Sequence, residues 1–214
     1  MIKEVCVENF TDIPRMIAAG ADRIELNNNL AVGGTTPSFG VLQQAVLYAH
    51  NFNIPVVVMI RPRGGNFNYN EQEIAMMVTD IQLAALIGAD AVTFGCLNAE
   101  KTIAKPIMKR LIELARTSGL EVVMHMAFDE IPENLQEQSL NWLADQGVKR
   151  ILTHGGRLNI PITATVAHLH EIITWATEKI EILPGGGITS INAQEIAATL
   201  KVEQLHGSKI VLPK

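Results

Sequence analysis

The feature that most constrains this chain is an alternation: eight short runs of β-favouring residues separated by segments of helical period. That order predicts parallel strands covered by helices. The runs are Ile2 to Val7, Arg23 to Leu26, Pro55 to Ile60, Ala91 to Phe94, Glu121 to His125, Arg150 to Thr153, Glu181 to Pro184 and Gln204 to His206. Helices are expected over Asp12 to Ala19, Phe39 to His50, Glu71 to Ile87, Ala104 to Thr117, Asn134 to Asp145, Thr163 to Lys179 and Asn192 to Leu200. Gly20, Gly88, Gly119 and Gly147 each follow a helical run, where a left-handed cap residue belongs. The pattern predicts an α/β chain folded as a (β/α)8 TIM barrel, a single domain over residues 1–214. The segment after His206 has no room for a full eighth helix, which leaves a gap for a partner subunit or a neighbouring helix to cover, and a homo-oligomer is expected. An open doubly wound sheet is the competing architecture, but it carries a Gly-rich loop after its first strand. Here Cys6-Val7-Glu8-Asn9 stands in that place.

Composition narrows the function classes. With 48% apolar and 18% charged residues, the chain suits a packed globular domain and fits neither disorder nor a coiled coil. A net charge of −5 without any run of Lys or Arg argues against nucleic acid as a partner. No stretch approaches the roughly 18 apolar residues of a membrane span, and Lys3 and Glu4 interrupt the N-terminal apolar stretch as no signal peptide would. A cytoplasmic location without membrane contact is the expectation. Cys6 and Cys96 lie outside any C-x-x-C pattern, which indicates neither a zinc ribbon nor a disulfide framework.

Strand alternation assigns faces. Val5 and Val7 suit the helix-facing side of the first strand, leaving Glu4, Cys6 and Glu8 inward; Ile24 and Leu26 leave Arg23, Glu25 and Asn27 inward. Arg61, His125 and His206 end their strands at the upper lumen. So polar an interior has two readings. One is a structural set of salt bridges, such as Glu25 with Arg61. The other is a functional site, since active sites of this fold lie at the carboxyl ends of the strands.

Three loops at that end carry glycines. The first joins Gly33-Gly34-Thr35-Thr36-Pro37-Ser38 with Arg61-Pro62-Arg63-Gly64-Gly65, where backbone amides and two arginines could cradle an anion, although Arg63 taken alone reads rather as a solvated loop residue. The second is Thr153-His154-Gly155-Gly156, and the third is Pro184-Gly185-Gly186-Gly187 after the seventh strand. Many barrels bind phosphate at the third address, though a glycine triplet also marks a tight turn. Alternation sets Met124 and Met126 opposite His125, and His168 and His170 face different sides of a helix.

At these segments the chain resembles the CutC copper-homeostasis family. The matching stretches are Val5-Cys6-Val7-Glu8-Asn9, Arg23-Ile24-Glu25-Leu26 with Gly33-Gly34-Thr35-Thr36-Pro37-Ser38, Met59-Ile60-Arg61-Pro62-Arg63-Gly64-Gly65, His125 with Ala127-Phe128-Asp129, Arg150-Ile151-Leu152-Thr153, and Pro184-Gly185-Gly186-Gly187. The resemblance implies a barrel, a cytoplasmic location and copper tolerance through Cu(I) binding, with Cys6 as the metal residue. Family members often pair that cysteine with a second in Glu-Leu-Cys, where this chain has Asn27, and they tend to carry Arg where it has Met126.

Two functional expectations follow. The first is Cu(I) binding at Cys6, helped by histidine. The second is an enzyme acting on a small phosphorylated or carboxylated metabolite. There Glu8 or Glu25 is the general base, His125 the acid or base oriented by Asp129, and Arg61 the holder of negative charge, with Arg63, Gly155, Gly185, Gly186 and Gly187 as anion-binding residues.

Overall fold

A computed structural model describes residues 1–212. The strands are β1 (Ile2–Glu8), β2 (Arg23–Asn27), β3 (Val56–Met59), β4 (Ala91–Phe94), β5 (Glu121–Met124), β6 (Arg150–Thr153), β7 (Glu181–Pro184) and β8 (Gln204–His206). The helices are α1 (Ile13–Ala18), α2 (Phe39–His50), α3 (Glu71–Ile87), α4 (Lys105–Thr117), α5 (Glu133–Asp145), α6 (Ile162–Ala176) and α7 (Ala193–Leu200). All strand pairs are parallel and follow chain order from β1 to β7, with β8 paired to the free side of β1. This is the expected (β/α)8 barrel, and no helix follows β8 among the described residues.

The barrel closes unevenly. β7 and β8 share no backbone ladder; Gln204 Nε2 reaches Glu181 at 3.2 Å near one end, and the Ser190 amide reaches the Lys209 carbonyl at 2.8 Å near the other. Two short 3-10 turns, Leu30–Val32 and Met126–Glu130, interrupt loops in which the sequence showed no element. α6 is shorter than its helical period suggested, because Thr177 turns extended and Glu178 adopts a left-handed φ of 61°. The four cap glycines all take positive φ, from 78° to 90°, as expected of residues without a Cβ.

Packing divides into two apolar zones. The larger fills the space between strands and helices, including Val5, Val7, Ile24 and Leu26 on their expected outward faces. The smaller is a plug inside the lumen, made by Val57, Ala91, Val123, Leu152 and Leu183, one from each of β3 to β7. The polar lumen read from the sequence is therefore confined to the two ends of the barrel and to the side formed by β8, β1 and β2.

Candidate functional site

The mouth is built from strand alternation. Glu4 and Cys6 of β1, Glu25 and Asn27 of β2 and His206 of β8 turn inward on adjacent strands, and all except Cys6 are fully buried. Glu4 accepts hydrogen bonds from Arg23 Nε below it and from His206 Nδ1 above it, the latter at 2.8 Å. Burial pushes its carboxyl up, but the bond from His206 and the charge of Arg23 outweigh that and hold it at about 2. Burial lowers the His206 imidazole, yet the Glu25 and Glu4 charges overcome this and raise it.

The second His206 nitrogen, Nε2, stands 3.9 Å from Glu25 Oε2. Burial raises the Glu25 carboxyl, which accepts from Asn27 Nδ2 at 2.8 Å. That amide also lies 3.4 Å from Cys6 Sγ. Burial and the flanking carboxylates push the Cys6 thiol well up, so it holds its proton. The donor atoms of Cys6, Glu25 and His206 all lie within 4.8 Å of one another. With Nδ1 bound to a carboxylate, His206 is arranged as metal-ligating histidines are, Nε2 being the nitrogen left to bind. A cation arriving there displaces the thiol proton and the proton that the raised imidazole carries on Nε2.

The opposite wall is made by Arg61, Phe67 and His125. His125 Nδ1 accepts the Ala127 amide at 3.1 Å, so this nitrogen carries no proton. Burial and the Arg61 charge lower the ring to about 3, leaving it neutral with its hydrogen on Nε2. Nε2 is buried and takes no partner among the described residues. His125 is thus a hydrogen-bond donor at this wall, and its tautomer disfavours metal ligation there. Arg61 donates from Nη1 to the Val32 and Gly34 carbonyls, both at 2.9 Å, and from Nη2 to Gly65 at 2.8 Å, while its buried Nε takes no partner. The Phe67 ring lies 4.9 Å from both the Arg61 guanidinium and the His125 ring.

Between the walls lies a cavity of about 160 Å³, also bounded by Leu30, Gly33, Met59, Met126 and Leu152. The glycine loop is shaped by its neighbours. Gly34 has a φ of 87°, and a Cβ on it would stand 2.3 Å from Asn27 Oδ1, so no other residue fits without displacing that side chain. Thr36 and Arg61 exchange hydrogen bonds that clip the two mouth loops together.

Of the residues singled out from the sequence, Cys6, Glu25, Arg61 and His125 converge on this cavity. Glu8 sits on the exposed rim, accepting the Leu30 amide at 2.8 Å. Arg63 turns away to Glu73 at 2.5 Å and to the Asn66 and Asn68 carbonyls. The expected Glu25–Arg61 pair does not form, because backbone carbonyls occupy Arg61 and Asn27 occupies Glu25. Nor does Asp129 orient His125: it accepts from Thr153 Oγ1 at 2.5 Å and from the His154 and Gly155 amides at 2.9 and 3.1 Å.

The cradle around Gly155 is therefore filled by the chain's own carboxylate. Burial outweighs those bonds and raises Asp129 to about 6. Gly185 gives its amide to Thr153 at 2.9 Å, whereas the amides of Gly186 and Gly187 take no partner among the described residues. A further correction concerns Met126. The 3-10 turn breaks strand alternation, so Met124 stays in the outer core while Met126 joins His125 at the cavity. Phe67, in the loop after β3, carried no sequence signal at all.

The family model for the CutC family matches residues 1–211. A CutC family protein of Enterococcus faecalis is 49% identical over 211 residues, covering 99% of this chain and all of that one. A human protein named copper homeostasis protein cutC homolog is 39% identical, covering 97% of this chain and 72% of its own length. The crystal structure of CutC from Streptococcus agalactiae superposes with a TM-score of 0.95 at 42% identity, over 99% of this chain and 100% of that one. An aldolase at 14% identity and a TM-score of 0.71 shares the barrel alone. With its model matched from end to end and its relatives alike over their shared length, the chain belongs to the CutC family.

Proposed function

We propose that the mouth binds Cu(I) as cargo, in a copper-homeostasis role, through the Cys6 thiolate and His206 Nε2. The observation that carries this reading is the convergence of the Cys6, Glu25 and His206 donor atoms within 4.8 Å. Sulfur and imidazole are the ligands Cu(I) favours, and two thioethers, Met59 and Met126, bound the same cavity. Glu4 holds the imidazole by Nδ1, and Glu25 supplies negative charge beside the ion. With Asn27 in place of a second cysteine, the site rests on one thiolate. Both cysteines are free, which suits the reducing cytoplasm this reading assigns. The homo-oligomer expected from the sequence belongs to the same proposal, its partner lying over the flank of β8. Titration of Cu(I) against a chromophoric competitor, with wild type and Cys6→Ser side by side, tests the site. The variant should bind at least about a hundredfold more weakly, since losing a ligand costs more than losing an outer-shell partner of one. Equal and negligible binding by both would dismiss the proposal.

A second reading is an enzyme on a small phosphorylated or carboxylated metabolite. It is favoured by the raised, closely spaced Glu25 and His206, two groups able to exchange protons with a bound molecule. Glu25 then acts as general base, and turnover, which copper binding does not require, distinguishes the two.

A further inference from the structure

The copper reading uses one wall of the cavity and leaves the other unexplained. We propose that Arg61 Nε–H and His125 Nε2–H form a clamp for the oxygens of a small monocarboxylate, whose carbon body lies against Met59, Met126 and Phe67. This deepens the second reading, resting on its pocket but not on its chemistry.

Both donors are buried, both residues line the same cavity, and neither atom has a partner within hydrogen-bond distance among the described residues, the Tyr69 hydroxyl lying near the Arg61 guanidinium without closing such a bond. A buried donor left unpaired is unfavourable, so the wall selects an acceptor. The His125 tautomer is fixed by the Ala127 amide, which makes Nε2 a donor at this wall. Three carbonyl bonds and the Phe67 ring hold the guanidinium in place before any ligand arrives. Such preorganisation reduces the entropy lost on binding.

Size and charge narrow the class. A cavity of about 160 Å³, set against the roughly 30 Å³ that a water occupies in the liquid, admits on the order of five or six heavy atoms. Arg61 contributes one positive charge, while Glu25, Cys6 and His206 stand across the cavity, the His206 charge being met by Glu4. One negative charge is matched at the clamp; a second would meet Glu25. A monocarboxylate therefore fits better than a phosphate dianion, and the apolar lining accommodates its carbon atoms.

Pyruvate is the probe, added at pH 7 to the full chain in EDTA, with binding followed by calorimetry and by the His125 Nε2–H resonance in 15N-histidine-labelled protein. Saturable binding that shifts this resonance is expected, weakened about tenfold or more by His125→Phe and partly restored by His125→Gln, which keeps a donor. Binding without turnover supports the clamp while dismissing catalysis. The proposal is overturned if wild type shows no saturable binding or no shift of that resonance, as it would if water alone met the two donors. Equal binding by His125→Phe, inorganic phosphate competing on a par with pyruvate, or a requirement for added Cu(I) overturns it too. The wild-type resonance stands as a test even if His125→Phe fails to fold.

Discussion

The two ends of the barrel lumen are both polar, yet they are finished differently. At the amino ends of the strands a continuous chain of partners runs from Glu121 to Arg150 at 2.7 Å, to Glu181 at 3.3 Å, to Gln204 at 3.2 Å and on to Arg23 at 2.9 Å, ending at Glu4. It crosses the seam between β7 and β8 and substitutes side chains for the missing ladder. Arg150 Nε is the one buried side-chain atom of these groups left unpaired among the described residues. At the mouth, Asn27 Oδ1, Arg61 Nε and His125 Nε2 all lack partners. Buried polar groups are ordinarily satisfied, so the lower network is explained by the fold, and the upper one points beyond it.

Glu4 joins the two ends, so changing it is the largest way to break the contrast. Glu4→Gln keeps the shape and removes the charge, leaving Arg23 and a raised His206 buried without their counterion. We expect a loss of about 3–5 kcal/mol in urea unfolding at pH 7, the range for breaking a buried pair. The pH dependence fixes the sign. A carboxyl held at about 2 instead of its ordinary 4.5 contributes stability above pH 4.5, and that contribution is lost as pH falls through 2. The gap between wild type and variant should therefore narrow across that window. A gap that stays constant would show that Glu4 acts by shape alone.

Asp129 sharpens the contrast from within the mouth, because it satisfies a cradle that otherwise resembles an anion site. Its carboxyl is raised from 3.8 to about 6, so the stability it contributes is present below pH 3.8 and is lost as pH rises through 6. Asp129→Asn removes that titration and keeps an acceptor oxygen on one side of the cradle, its NH2 facing a donor on the other at a cost that does not vary with pH. Relative to wild type, the variant should gain on the order of 2–3 kcal/mol between pH 4 and pH 7. Parallel stability curves for the two proteins over this range would contradict the burial argument.

The sequence showed the barrel because hydrophobic period and glycine caps are local properties, and all eight strands and seven helices lie within a few residues of their expected places. One wall of the mouth was equally legible: Cys6, Glu25 and His206 follow from period-two alternation on adjacent strands. The other wall was not. Met126 reaches the cavity through a 3-10 turn that interrupts the alternation, and Phe67 comes from a loop with no period. Arg61 was placed correctly but paired wrongly, since carbonyls of two separate loops compete for its guanidinium. Asp129 was set beside His125 by nearness in sequence, although its partners are the amides after β6.

The smallest expected effect separates two arginines that read alike in the Arg-Pro-Arg phrase. Arg61 is 5% exposed, whereas the Arg63 side chain is 38% exposed and pairs with Glu73, the capping residue at the start of α3. An exposed pair of this kind contributes about 1 kcal/mol or less, and the carbonyls it leaves can turn to water. Arg63→Ala should then lower the melting temperature by about 2–4 °C, the shift expected for 1 kcal/mol in a chain of this size. Cu(I) and pyruvate binding should remain at wild-type levels, because Arg63 does not line the cavity. Loss of pyruvate binding in this variant would move the anion site from the Arg61 wall to the outer loop, and the mouth would then owe its unpaired donors to some other ligand.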